Sequence, residues 1–162
     1  MRKDDVTILF DYMYWVNHRI LDASGRLSSD EFLTATSITT RSLRATLVHE
    51  LDVEWSWRLN LQGRVSEDDA ELDPESYLDV ASLAESWQRD DAEARAWLGS
   101  LTEQQLATET YPEFTKDRRP LWQFLLHIVT HAAQQQSRRC HALKSHGSFS
   151  RGAWLHPLPV RV

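Results

Sequence analysis

Apolar residues recur at three- and four-residue intervals along four segments of the chain, and glycine, proline or clustered charge falls between them. In the first segment, from about Asp5 to Ala23, Leu9, Met13, Val16 and Ile20 share one helical face, and Ser24-Gly25 ends it. The second runs from about Thr40 to Leu61, with Leu43, Leu47, Leu51, Trp55 and Leu59 on one stripe, Thr40 or Ser42 as N-cap and Gly63 beyond its end. A third helix is predicted from Pro74 to Leu101, because Asp73 can cap orphan N–H groups and proline at the first helical position lacks one. Its seam is Tyr77, Val80, Ala84, Trp87, Ala94, Leu98 and Leu101, interrupted only by Asp91. The fourth opens at Pro120, passes Leu121, Leu125, Ile128 and Ala132, and reaches about Ser145, where Gly147 supplies a left-handed stop.

The connections differ in kind. Ser66 to Asp73 is acidic and has no sustained apolar period, which predicts a solvated crossing over the end of the bundle. Thr102 to Arg119 reads as a loop with one short strand-like pair, and Ser148 to Val162, which holds Trp154, Pro157 and Pro159, as an extended tail folded back and anchored by its aromatic residue. Four amphipathic helices with no βαβ pattern predict an all-α, antiparallel-type four-helix bundle, a single domain over residues 1–162. A chain of this length can bury about 70% of its unfolded surface, enough to fold without disulfides or structural metal.

Composition narrows the function classes. Eighteen Lys plus Arg against 24 Asp plus Glu give a formal charge of −6, which argues against a broad nucleic-acid-binding face. The single cysteine, Cys140, excludes an intramolecular disulfide and a multi-cysteine zinc site. No run approaches the roughly 20 apolar residues of a membrane span. The opening Met1-Arg-Lys-Asp-Asp enters an amphipathic segment with no apolar signal core, so a cytoplasmic protein is expected, with neither nucleic acid nor membrane as partner.

Histidine placement carries the chemistry. His49 lies within the second helix, and His127 and His131 stand four residues apart on the fourth, where an i, i+4 pair projects from one face. Two imidazoles so spaced, completed by a third from a facing helix, can form a three-ligand metal site with an open position. The plain alternative is a set of surface or hydrogen-bonded core histidines. His49-Glu50 also begins like a zincin motif, but Val53 stands where the second histidine would be needed.

The same segments carry a family resemblance. Ser42-Leu-Arg-Ala-Thr-Leu-Val-His-Glu-Leu-Asp-Val-Glu-Trp-Ser-Trp-Arg, followed by Gly63, resembles the second helix of the DinB-like (DinB/YfiT) four-helix-bundle proteins. Phe10-Asp-Tyr-Met-Tyr-Trp-Val-Asn-His-Arg-Ile-Leu is similar to that family's first helix, with Trp15 and Asn17 in the matching places. Pro120-Leu-Trp-Gln-Phe-Leu-Leu-His-Ile-Val-Thr-His resembles its last. The resemblance implies a bundle, usually a homodimer, holding a divalent metal such as nickel, zinc or manganese on three histidines, of which His49 and His131 match two. It also implies a small-molecule substrate and, as in several relatives, a metal-dependent thiol transferase or hydrolase using a low-molecular-weight thiol.

The chain departs from the family pattern where the third ligand belongs, because Gln135 occupies that place. A glutamine carbonyl is a hard, neutral donor and a poor substitute for imidazole on zinc or nickel. Three outcomes follow: a weaker site of His49, His131 and Gln135; a site slid one turn, about 5.4 Å, to use His127; or no metal, in a non-catalytic relative that acts as a ligand-binding or dimeric interaction protein. Secondary candidates have plain readings. Cys140 is expected as a small buried residue. Trp55, Trp57 and Trp122 are expected in the core or around a pocket. Of the acids flanking His49, which are Glu50, Asp52 and Glu54, Glu54 is expected as an exposed or loop-contacting carboxylate. Arg138 and Arg139 are expected to face solvent or pair with acids.

Overall fold

Three side chains start principal helices by accepting from N–H groups that the first turn leaves orphaned. In α1 (Lys3–Ser24) Asp5 answers the Arg2 N–H at 2.9 Å; in α3 (Leu43–Leu61) Ser42 Oγ accepts from the Ala45 N–H at 3.1 Å; in α4 (Val80–Ser100) Asp79 Oδ1 accepts from the Ser82 N–H at 2.8 Å. Short helices α2 (Ser29–Leu33) and α5 (Glu103–Ala107) open on reciprocal capping boxes, Ser28 with Glu31 and Thr102 with Gln105. A fourth long helix, α6, spans Leu121–Ser145. The structure is a computed structural model that describes residues 1–35, 41–64, 71–112 and 115–145. The expected tail with Trp154, the Gly147 stop, Thr40 as a cap, most of the acidic run after Ser66 and the side chain of Arg138 lie outside the described residues.

Helix α3 ends in a Schellman motif that needs its glycine. Gly63 has φ +67°, the Arg64 N–H donates to the Leu59 carbonyl at 3.0 Å, and the Gly63 N–H donates to that of Asn60 at 2.9 Å. The third segment begins later than the sequence predicts. Asp73 and Pro74 open only a 3-10 turn over Pro74–Ser76, and the long helix starts at Val80 under its own cap, Asp79. The expected strand-like pair exists: β1 (Glu109–Thr110) pairs antiparallel with β2 (Arg119–Pro120).

Two apolar clusters reveal the helix directions. The first joins Val6, Phe10 and Met13 near the start of α1 to Ala94 and Leu98 near the end of α4 and to Leu121 and Leu125 at the start of α6, with Trp57 and Leu61 of α3 against it. The second joins Val16 and Ile20 of α1 to Leu43 and Leu47 at the start of α3, Leu83 and Trp87 of α4, and Cys140 and Leu143 of α6. Thus α1 and α6 run one way, and α3 and α4 the other. Helix α6 packs most extensively on α1 and then on α3, and α4 packs on both of those helices. Parallel neighbours therefore alternate with antiparallel ones, which corrects the antiparallel-type arrangement. The α3–α4 connection must travel back along α3, a helix about 28 Å long. Asp52 Oδ1 accepts from the Leu72 N–H at 2.9 Å, and Arg44 pairs with Glu75, fastening that crossing to α3.

Between the two clusters lies a buried polar layer of Asn17, Glu50, Glu54, Arg58, Asp90, Asp91, Gln136 and Arg139. Gln136 Nε2 donates to Asn17 Oδ1 at 3.0 Å, Asn17 Nδ2 to Glu54 Oε1 at 2.8 Å, and Trp87 Nε1 to Glu54 Oε2 at 3.3 Å. All four long helices meet in this chain of bonds. Among the described residues no helix is long and apolar enough to cross a membrane.

Candidate metal centre

Helices α3 and α6 are antiparallel neighbours, so residues that ascend one helix meet residues that descend the other. His49, early in α3, faces His131, with ring centres 6.4 Å apart and planes nearly perpendicular at 79°. Two turns on, Trp57 lies against His127 at 4.9 Å and Phe124 at 5.9 Å. Gln135, one turn beyond His131, brings its amide nitrogen to 3.4 Å from His131 Nε2. The structure therefore brings His49 and Gln135 each beside His131. It sets His127 one turn away on Trp57, its ring centre 6.3 Å from that of His131.

The donor set can be tested against a divalent ion. Two imidazoles on one tetrahedral ion, with nitrogen distances of about 2.1 Å, bring their ring centres to about 5 Å, so the pair must close by about 1 Å. His49 is exposed and free to swing, whereas His131 is half-buried. His131 Nδ1 is buried without a hydrogen-bond partner among the described residues. Burial lowers the His131 pKa, the Glu50 carboxylate opposes that shift, and His127, His49 and Arg139 reinforce it. An imidazole held neutral at ordinary pH has its lone pair available to a metal. Among the described residues no group of three or more His, Cys, Asp or Glu side chains is placed to hold a metal ion. An ion here would rest on two imidazoles drawn closer together, with the Gln135 amide turned to present its carbonyl oxygen as a neutral third donor, a set suited only to weak binding.

Two neighbours depart from the sequence expectations. Glu54 is buried, accepts from Asn17 and Trp87, and has its pKa pushed well up by burial and by Glu50; the loop-contacting acid is Asp52. Arg139 is fully buried, 3.7 Å from the equally buried Glu50, with its guanidinium over the Trp87 ring at 5.8 Å. Sequence reasoning treated Glu50 as a flanking acid and Arg139 as a helix-end charge. The available signal was spacing, since Leu47, Glu50, Leu51, Glu54 and Arg58 all fall on one α3 face. Cys140 is buried within the second cluster, as its type suggests.

No curated protein matches the chain. The model of the DinB family matches residues 2–144, nearly the whole of the 162-residue chain, and the chain belongs to that family.

Proposed function

We propose that His49, His131 and Gln135 hold one divalent ion such as nickel, zinc or manganese at the α3–α6 seam, and that the protein is a metal-dependent enzyme of the thiol-transferase or hydrolase kind. The observation that supports this is the meeting of His49 and His131 across antiparallel helices, with Gln135 beside the His131 ring. A bound ion supplies a Lewis acid that lowers the pKa of a coordinated thiol or water. The chain's own part is to keep His131 neutral by burial and to leave His49 on the solvent side, where a small thiol can approach. Elemental analysis of untagged protein purified without chelator tests the reading, alongside His49→Ala and His131→Ala. Metal that is present in the wild type and absent from both variants is the expected result; a wild type that takes up no nickel, zinc or manganese on dialysis rejects it.

A second reading is a non-catalytic ligand-binding member of the family. A groove of about 500 Å³ supports it, with an apolar wall of Leu61, Trp97, Leu101 and Leu121 and with Arg64 and Gln105 among its polar residues. Under this reading the histidines can be replaced without loss of ligand binding.

A further inference from the structure

The outward face of α1 is apolar where a solvated helix would be polar. Ile8 is 60% exposed and Tyr12 43% exposed, and among the described residues no other long helix bears an exposed large hydrophobic side chain. At spacings of four, three and four residues, Ile8, Tyr12, Trp15 and Arg19 form one stripe opposite the buried face of Val6, Phe10, Met13 and Ile20. The Tyr12 and Trp15 rings lie 6.0 Å apart, and the Arg19 guanidinium lies 4.9 Å from the Trp15 ring centre. Tyrosine, tryptophan and arginine joined to an exposed aliphatic residue are the composition of a protein interface.

The charges along the stripe select its partner. Asp4 stands one turn before Ile8, and Arg19 one turn after Trp15, so the stripe is acidic at one end, basic at the other and apolar between. Turned end for end, it matches itself: Asp4 meets the partner's Arg19, Ile8 meets the partner's Trp15, and Tyr12 lies at the centre. A two-fold axis across the middle of α1 produces this pairing, with every contact made twice. Asp11, beside Tyr12, is already paired with Arg95 of α4, so the centre carries no uncompensated acid. Alone, the 22 residues of α1 offer a strip about 33 Å long and one helix wide, less than the roughly 600–800 Å² per partner that a stable dimer buries. Helix α6 lies parallel against it, and there Leu126, half-buried, and Thr130 and Ala133, both exposed, widen the strip with uncharged surface.

We propose that the outer face of α1, flanked by that of α6, is where a second copy of this chain docks, α1 against α1 in antiparallel register. This face lies across α6 from the seam that brings His49 to His131, so docking leaves the seam open and does not depend on the ion proposed above.

Sedimentation equilibrium of the untagged full chain across micromolar concentrations tests the docking. The wild type should be a dimer. Ile8→Asp alters an exposed position, so it should keep the wild-type circular dichroism spectrum while weakening the dimer by at least about 30-fold. A wild type that stays monomeric overturns the proposal and leaves the stripe to another partner; a dimer that Ile8→Asp leaves intact overturns it by placing the interface elsewhere. Mixing reads the register. Asp4→Arg and Arg19→Glu each put like charges at both ends of their own dimer, whereas one chain of each restores opposite charges at both ends. Native mass spectrometry of the mixture should show the mixed dimer at least about tenfold tighter than either homodimer. A mixed dimer no tighter than the homodimers overturns the antiparallel pairing.

Discussion

The polar layer is finished on one side of the bundle and unfinished on the other. Towards α4, each buried charge meets its partner closely: Asp91 Oδ2 lies 2.7 Å from His18 Nε2, and Asp90 Oδ1 takes the Arg58 Nε–H at 3.1 Å, with Glu93 also 3.1 Å from Arg58. Among the described residues, Asp91 Oδ1 is the one carboxylate oxygen of Asp90 and Asp91 that is buried with no hydrogen-bond partner. Towards α6, both oxygens of Glu50, three nitrogens of Arg139 and one of His131 are buried with no hydrogen-bond partner among the described residues. Leaving such groups unmet costs more than a finished network returns. The difference separates two uses of buried charge: the α4 side locks helices together, and the α6 side keeps donors and acceptors available beside the histidines.

The largest expected effect tests whether the unfinished side is held by charge alone. Arg139→Met strands Glu50 in the core and should cost about 3–5 kcal/mol in urea unfolding, while Glu50→Gln with Arg139→Met should regain most of it. The matching pair on the other side, Arg58→Met alone and with Asp90→Asn, should regain less, because true hydrogen bonds are lost; equal recovery would erase the contrast between the two sides. Asn17→Ala cuts the chain between Gln136 and Glu54 where the sides join, and should cost about 2 kcal/mol by the same measurement. Gln135→His supplies the imidazole that the seam lacks. Calorimetric zinc titration should show at least a tenfold gain in affinity, about 1.4 kcal/mol, and no gain would count against the His49–His131 pair as ligands.

The smallest effect concerns the finished side. The hydrogen bond to Asp91 raises the His18 pKa, with burial opposing. A histidine raised in the folded state stabilises fully below its unfolded pKa, about 6.5, and loses that contribution as pH climbs through the folded value. His18 is nearly half exposed, so solvent screening holds the effect under about 1 kcal/mol. The gap in urea midpoint between wild type and His18→Gln should therefore narrow from pH 6 to pH 8. A gap that widens would mean that the pair does not bind as imidazolium and carboxylate.

The four long helices were legible because their apolar period runs for many turns. Helix α2 was not, since its five residues bury only Phe32 and its capping box lies in a polar stretch. The delayed start of α4 was hidden by two capping aspartates, Asp73 and Asp79, of which the proline favoured the wrong one. At the candidate site the histidines could be picked out by type and spacing. Glu50 and Arg139 could not, because charged residues are read as solvent-facing. Their burial depends on two helices supplying opposite charges at one level, and no single segment displays that pairing. Helix directions also required the structure, since loop length alone does not distinguish a hairpin from a crossing connection.

The widest interface in the bundle joins its first helix to its last. Gln136 reaches back to Asn17 across 119 residues of chain, so loop closure over nearly the whole sequence must precede the contacts that reward it. For a helical protein this predicts slow folding. During synthesis α1 must wait, its main apolar face uncovered, until α6 has emerged.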